Sequence, residues 1–307
     1  MDKKRFEGCL LGLACGDAVG TTVEFQPRGT FPPVTDMTGG GPFRLPPGAW
    51  TDDTSMALCL AASLLECGGF DARDQMERYV RWQQEGYFSS TGACFDIGNT
   101  VAAALRRYRQ AGDPFAGSTD PRTAGNGSLM RLAPVAMFYA ADPARAAHFS
   151  AHSSRTTHGA QEAVDACRLF GAMLVLALGG ASKAAILDAR AHPALADVAL
   201  APAIRRIAVG EYRDKGEEAI RGSGYVVESL EAALWCFERS DSYREAILRA
   251  ANLGDDADTT AAICGQVAGA HYGVEGIPRA WLEVLAMGAQ IERMADALYE
   301  AATTNVG

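Results

Sequence analysis

The chain has five histidines, and none of them stands beside an acidic cluster. Its eight cysteines (Cys9, Cys15, Cys59, Cys67, Cys94, Cys167, Cys236 and Cys264) form no CxxC pair. Most lie among apolar neighbours, so reduced, buried thiols are expected in place of a zinc site or a disulfide framework. Long apolar runs are missing too. Even residues 169–178 fall well short of a bilayer span, so no membrane partner is expected. The opening Met1, Asp2, Lys3, Lys4, Arg5 leads into a stretch broken by Glu7 and Asp17, which is not the pattern of a secretion signal. These absences predict a cytoplasmic protein.

Basic charge is scarce. Lysine and arginine number 28 against 37 acids, a formal net charge of −9, so no stripe is available to neutralise phosphates and nucleic acid is not an expected partner. The densest basic groups are Arg106, Arg107 and Arg109, then Arg205 with Arg206, and they read as solvated helix faces. No run of alternating β-branched residues demands a sheet, and no linker divides the chain. The expectation is one all-α domain over residues 1–307, a compact helical bundle that acts as a monomer. Helical patterning runs over 55–66, 73–85, 99–110, 161–178, 228–238, 243–251, 259–272 and 279–302. Ala257, Ala261, Gly265 and Gly269 are spaced by four, a ridge that lets a neighbouring helix approach closely and predicts a central position for that segment.

What is present is concentrated in two acidic clusters about 200 residues apart. One runs Trp50, Thr51, Asp52, Asp53, Thr54, Ser55; the other runs Gly254, Asp255, Asp256, Ala257, Asp258, Thr259, Thr260. Each precedes a small-and-apolar helical stretch, so its acids fall at a helix start, where a single capping acid is usual. Each cluster alone reads as an N-cap, through Thr51 or through Asp255. Together they point to a shared site, because crowded buried carboxylates cost free energy unless a cation neutralises them. Oxygen donors without histidine or cysteine suit a hard ion such as Mg²⁺ or Mn²⁺.

An ordered series of motifs resembles the ADP-ribosylglycohydrolase family. It begins with Gly16, Asp17, Ala18, Val19, Gly20, Glu24 and Phe25, then passes through Thr51, Asp52, Asp53 and through Asp96, Ile97, Gly98. It continues with Gly125, Asn126, Gly127, Ser128, then Thr157, His158, Gly159, then Gly224, Tyr225, and closes at Asp256, Ala257, Asp258, Thr259. The resemblance implies an orthogonal helical bundle and a hydrolase that removes ADP-ribose from a modified acceptor on protein. It also implies two divalent cations held by Thr51, Asp52, Asp53, Asp256, Asp258 and Thr259, with Glu24 accepting a proton or positioning a water and Asp96 orienting the leaving group. Gly98, Gly125, Asn126, Gly127, Ser128, Met130, His158 and Tyr225 become the substrate-binding set.

The residues themselves leave alternatives open. A glycine-rich segment such as 125–128 is often only a turn, a lone histidine is often structural, and Tyr225 is equally placed to be core. Asp17 can brace a turn, and Asp255 reads as support for the matched pair behind it. Arginine is the favoured acceptor because Asp96, Ile97 and Gly98 resemble the arginine-directed branch of the family more than the serine-directed one, and a carboxylate near the leaving group also suits a guanidinium. Serine-linked ADP-ribose, a free ADP-ribosyl metabolite and a non-catalytic ADP-ribose-binding protein are the alternatives. A dimetal phosphodiesterase commonly adds histidine ligands, and none flanks either cluster.

Overall fold

The computed structural model describes residues 1–188, 192–196 and 198–304. Fourteen α-helices carry most of them: α1 (Lys3–Gly20), α2 (Asp52–Cys67), α3 (Ala72–Glu85), α4 (Asn99–Ala111), α5 (Ala133–Phe138), α6 (Pro143–Arg155) and α7 (Gln161–Leu178). The second half adds α8 (Lys183–Leu187), α9 (Pro202–Ala208), α10 (Val226–Glu238), α11 (Tyr243–Ala251), α12 (Ala257–Tyr272), α13 (Arg279–Val284) and α14 (Gly288–Thr304). Among the described residues β pairing is confined to isolated bridges. One hydrophobic core runs from Phe6 to Ala302.

The spaced small residues of α12 decide the centre of the bundle. A Cβ placed on Gly269 would overlap the carbonyl of Gly8, and one on Gly265 would overlap that of Gly12. The register continues with Gly16 against Ala261 and Gly20 against Ala257, so α1 and α12 lie antiparallel with their backbones in near contact. Close approach of this kind needs missing side chains on both helices. All but the last two residues of α12 are buried, and Asp258 and Thr259 sit in its first turn.

Three expectations change. Residues 16–20 form the last turn of α1 and not a loop turn, so Asp17 lies inside a buried helix. The four glycines that depress helix propensity there are the ones that α12 requires. Residues 279–302 form two helices and not one, broken around Met287, whose φ is 55°. At the break, the Ala286 amide donates to Gly48 O at 2.9 Å and Trp50 Nε1 donates to Ala286 O at 3.0 Å. Those bonds anchor the strand of loop that delivers Thr51. Finally, α6 escapes notice in the sequence, although Asp142 caps it by accepting from the Arg145 amide and Pro143 starts it.

Candidate active site

Thr51 occupies the N-cap position of α2 and Asp256 that of α12, yet neither side chain caps its own helix. Asp17 does the capping for α2 from the facing helix. Its Oδ1 accepts from the Thr51 amide at 2.8 Å, and its Oδ2 accepts from the Thr54 amide at 3.0 Å and the Thr54 hydroxyl at 2.6 Å. The oxygens of the two clusters are thereby free to face each other. Thr51 Oγ1 lies 2.9 Å from Asp17 Oδ1 and 3.2 Å from Asp258 Oδ2, and Thr259 Oγ1 donates to Asp53 Oδ1 at 3.2 Å.

Glu24 enters from the turn that follows α1, where Thr21 Oγ1 donates to its Oε2 at 3.3 Å. Phe25 and Asp255 both take positive φ, and their backbones pair: the Phe25 amide donates to Asp255 O at 2.7 Å and the Asp255 amide to Gln26 O at 2.8 Å. Asp255 thus supports the site through its main chain, while its side chain is exposed. Asp96, in the loop before α4, also sits at positive φ, 58°. Carboxylate oxygens of Glu24, Asp96 and Asp258 all lie within 4.8 Å of one another.

This crowding sets the protonation of the acids. Burial is the largest cause throughout, followed by the neighbouring carboxylates, and it pushes Glu24 up to about 9 and Asp96 up to about 7. Asp52, Asp53 and Asp258 are held well above the ordinary carboxylate range for the same reasons. Asp53 Oδ2 and Asp258 Oδ1 are buried without a hydrogen-bond partner among the described residues. Orphaned buried oxygens in an all-oxygen donor set fit a hard divalent cation, which would satisfy them and offset the repulsion.

Glu24, Asp52, Asp96, Asp256, Asp258 and Thr259 line a cleft of about 500 Å³ together with Gly98, Gly125, Asn126, Gly127, Met130 and His158. Thr51 and Asp53 are fully buried and do not line it. Gly98 is the N-cap of α4, so the first-turn amides of that helix open beside the cleft. The loop at 125–128 is held by the Asn126 amide on Gly224 O at 3.1 Å and by the Val226 amide on Ala124 O at 3.0 Å.

Two of its side chains hydrogen-bond within the protein. Asn126 Nδ2 donates to Asp256 Oδ2 at 2.6 Å and to Ser229 Oγ at 2.8 Å, which ties the loop to the acids. Ser128 Oγ points inward to Ser154 Oγ at 2.8 Å and does not line the cleft. Tyr225 is neither core nor part of the cleft lining: its ring is half-exposed in an adjoining depression that shares Gly125 and Gly224, and its hydroxyl donates to Glu162 at 2.6 Å. His158 is buried, and burial together with Arg131 lowers it to about 3, so its ring is neutral.

Known proteins match the chain almost end to end. A family model described as ADP-ribosylglycohydrolase matches residues 1–306. The chain is 49% identical to ADP-ribosylarginine hydrolase Tri1 of Pseudomonas putida (strain GB-1) over 97% of this chain and 78% of that protein. It is 34% identical to the ADP-ribosyl-(dinitrogen reductase) glycohydrolase of Rhodospirillum rubrum over 95% and 94% of the two chains. A solved structure described as an ADP-ribosylglycohydrolase-related protein complex superposes with a TM-score of 0.87 at 45% identity, covering 98% of each chain. With its motifs in order, its helices in the same arrangement and the match running almost end to end, the chain belongs to the ADP-ribosylglycohydrolase family.

Proposed function

We propose that this chain hydrolyses the N-glycosidic bond between ADP-ribose and an arginine side chain of a modified protein. The observation that carries the reading is the meeting of Glu24, Asp96 and Asp258 in one cleft, in a chain 49% identical to a protein named ADP-ribosylarginine hydrolase. Thr51, Asp52, Asp53, Asp256, Asp258 and Thr259 would hold two divalent cations, Mg²⁺ or Mn²⁺, which supply Lewis-acid charge and make bound water more acidic.

The chain's own groups do the rest. Cleavage at the anomeric carbon passes through an oxocarbenium-like transition state, and the surrounding carboxylates stabilise its positive charge. Glu24 takes the proton of the attacking water and returns it to the departing guanidine. Asp96 faces that group and holds it by a charge-assisted hydrogen bond. The first turn of α4 and the loop 125–127 present backbone amides to the diphosphate, as a helix start and a glycine-rich turn do for anions. Met130 and His158 bound the sugar and phosphate side of the cleft, and the ring of Tyr225 flanks its outer edge.

No described helix is long and apolar enough to cross a membrane. The continuous core supports a single domain, and we read the protein as a cytoplasmic monomer. The deciding assay incubates the protein with ADP-ribosyl-arginine and ADP-ribosyl-serine peptides in Mg²⁺ or Mn²⁺, then with chelator. Release of ADP-ribose from the arginine peptide, abolished by chelator, is expected. Preferential release from serine would replace the acceptor, and no release from either would leave a binding protein.

A further inference from the structure

We propose that Arg131 is a positioning residue that, through Thr157, keeps the proton of His158 on Nε2, where it faces the cleft. Arg131 is completely buried, its guanidinium 4.7 Å from the ring centre of Tyr79. Nη1 donates to Gly127 O at 2.7 Å and Nη2 to Thr157 Oγ1 at 2.8 Å. Among the described residues its polar partners are a carbonyl and hydroxyls, with no carboxylate among them, and its Nε has no partner. A buried guanidinium that makes no direct ion pair is costly. Such a group needs a reason to stay.

The reason lies in what its N–H groups force. Arginine only donates, so Thr157 Oγ1 must accept from it. The remaining neighbour of that hydroxyl is His158 Nδ1 at 2.9 Å, and the threonine proton therefore points to Nδ1. Nδ1 accepts, and the ring proton resides on Nε2. Nε2 makes no hydrogen bond to the described protein and lies against the glycine loop. A Cβ on Gly125 or Gly127 would come within 3.3 Å of it. The same guanidinium holds the Gly127 carbonyl, so the loop and the imidazole are set by one group. A cation beneath the loop also offsets the acids for an anionic ligand. The identity of that ligand as the diphosphate of ADP-ribose rests on the function proposed above; the proton arrangement does not.

The test uses the full chain labelled with ¹⁵N-histidine, read by long-range ¹H–¹⁵N correlation, with His158 assigned by the loss of its signals in His158→Gln. The parent without ligand should show the Nε2–H tautomer between about pH 6 and pH 8. Thr157→Val keeps the side chain's shape but removes the relay, so the ring should lose its single tautomer. Its ADP-ribose affinity should fall about tenfold or more, as for a displaced hydrogen bond to a charged group. Thr157→Ser should restore both readings, and Arg131→Met should reproduce the valine result if it folds. An Nδ1–H parent, or a valine variant that keeps the Nε2–H form and parental affinity, would overturn the proposal. A parent with the Nε2–H tautomer and no ADP-ribose binding would support the relay and sink the ligand assignment.

Discussion

Glu24 and Asp96 share a cluster with Asp258 but carry separable tasks. Glu24→Gln keeps the size and the bond from Thr21 while removing the proton acceptor. Turnover should drop about a hundredfold or more, the usual range for general acid–base catalysis, with ADP-ribose binding close to the parent. Turnover within a few-fold of the parent would assign Glu24 another job. Asp96→Asn keeps shape and hydrogen-bonding capacity but loses charge, so a cationic acceptor should suffer more than a neutral one. The quantity to compare is kcat/KM on arginine-linked against serine-linked ADP-ribose, since a general loss of metal or folding lowers both. Equal loss on both would mean that Asp96 supports the site without reading the acceptor.

Two helix starts make the site, and a helix pair holds them in place. The α1–α12 contact depends on glycine facing glycine, and α12 carries Asp258 and Thr259 at its first turn. Gly265→Ala would place a methyl group on the carbonyl of Gly12. The gain in helix propensity, up to about 1 kcal/mol, is smaller than the strain of overpacking, about 1–3 kcal/mol. A net loss of stability in urea unfolding is therefore expected, with weaker metal binding as the two helices separate. An alanine variant as stable as the parent would show that the pair has room to adjust.

For the molecule as a whole, the buried acids tie stability to pH and to metal. Burial raises Asp17 to about 6 against the hydrogen bonds from Thr51 and Thr54, and burial with repulsion from neighbouring carboxylates raises Asp96 to about 7 and Glu24 to about 9, all above their unfolded values near 4. The native state then binds more protons than the unfolded state between those limits, so metal-free protein should lose stability as pH rises from about 4 to 9. A bound divalent cation favours the ionised acids and should flatten that fall, because it binds the native site best when the acids are deprotonated. Melting temperature measured across this range, with Mn²⁺ and with chelator, checks it. Parallel curves would show that the cation does not engage these carboxylates.

Local pattern was enough for much of this. The two oxygen-rich clusters, their places at helix starts, and the four-residue ridge of α12 are all visible within a few residues of chain. So are the extents of α7 and α11, whose apolar spacing is uninterrupted. Helix α1 was hidden because its glycines argue against a helix until its partner is known, and residues 279–302 concealed a break that only the 48–50 loop explains. The sequence by itself determined which oxygen donors exist and that they would stand at helix starts. The tertiary structure decided where each one points. Asp17 caps α2 across 34 residues, Thr51 reaches Asp258 across 207, and Asn126 donates to Asp256 across 130. Those choices depend on which side chain wins a hydrogen bond or a buried position against remote competitors, and contacts of that range leave no periodicity in the chain to read.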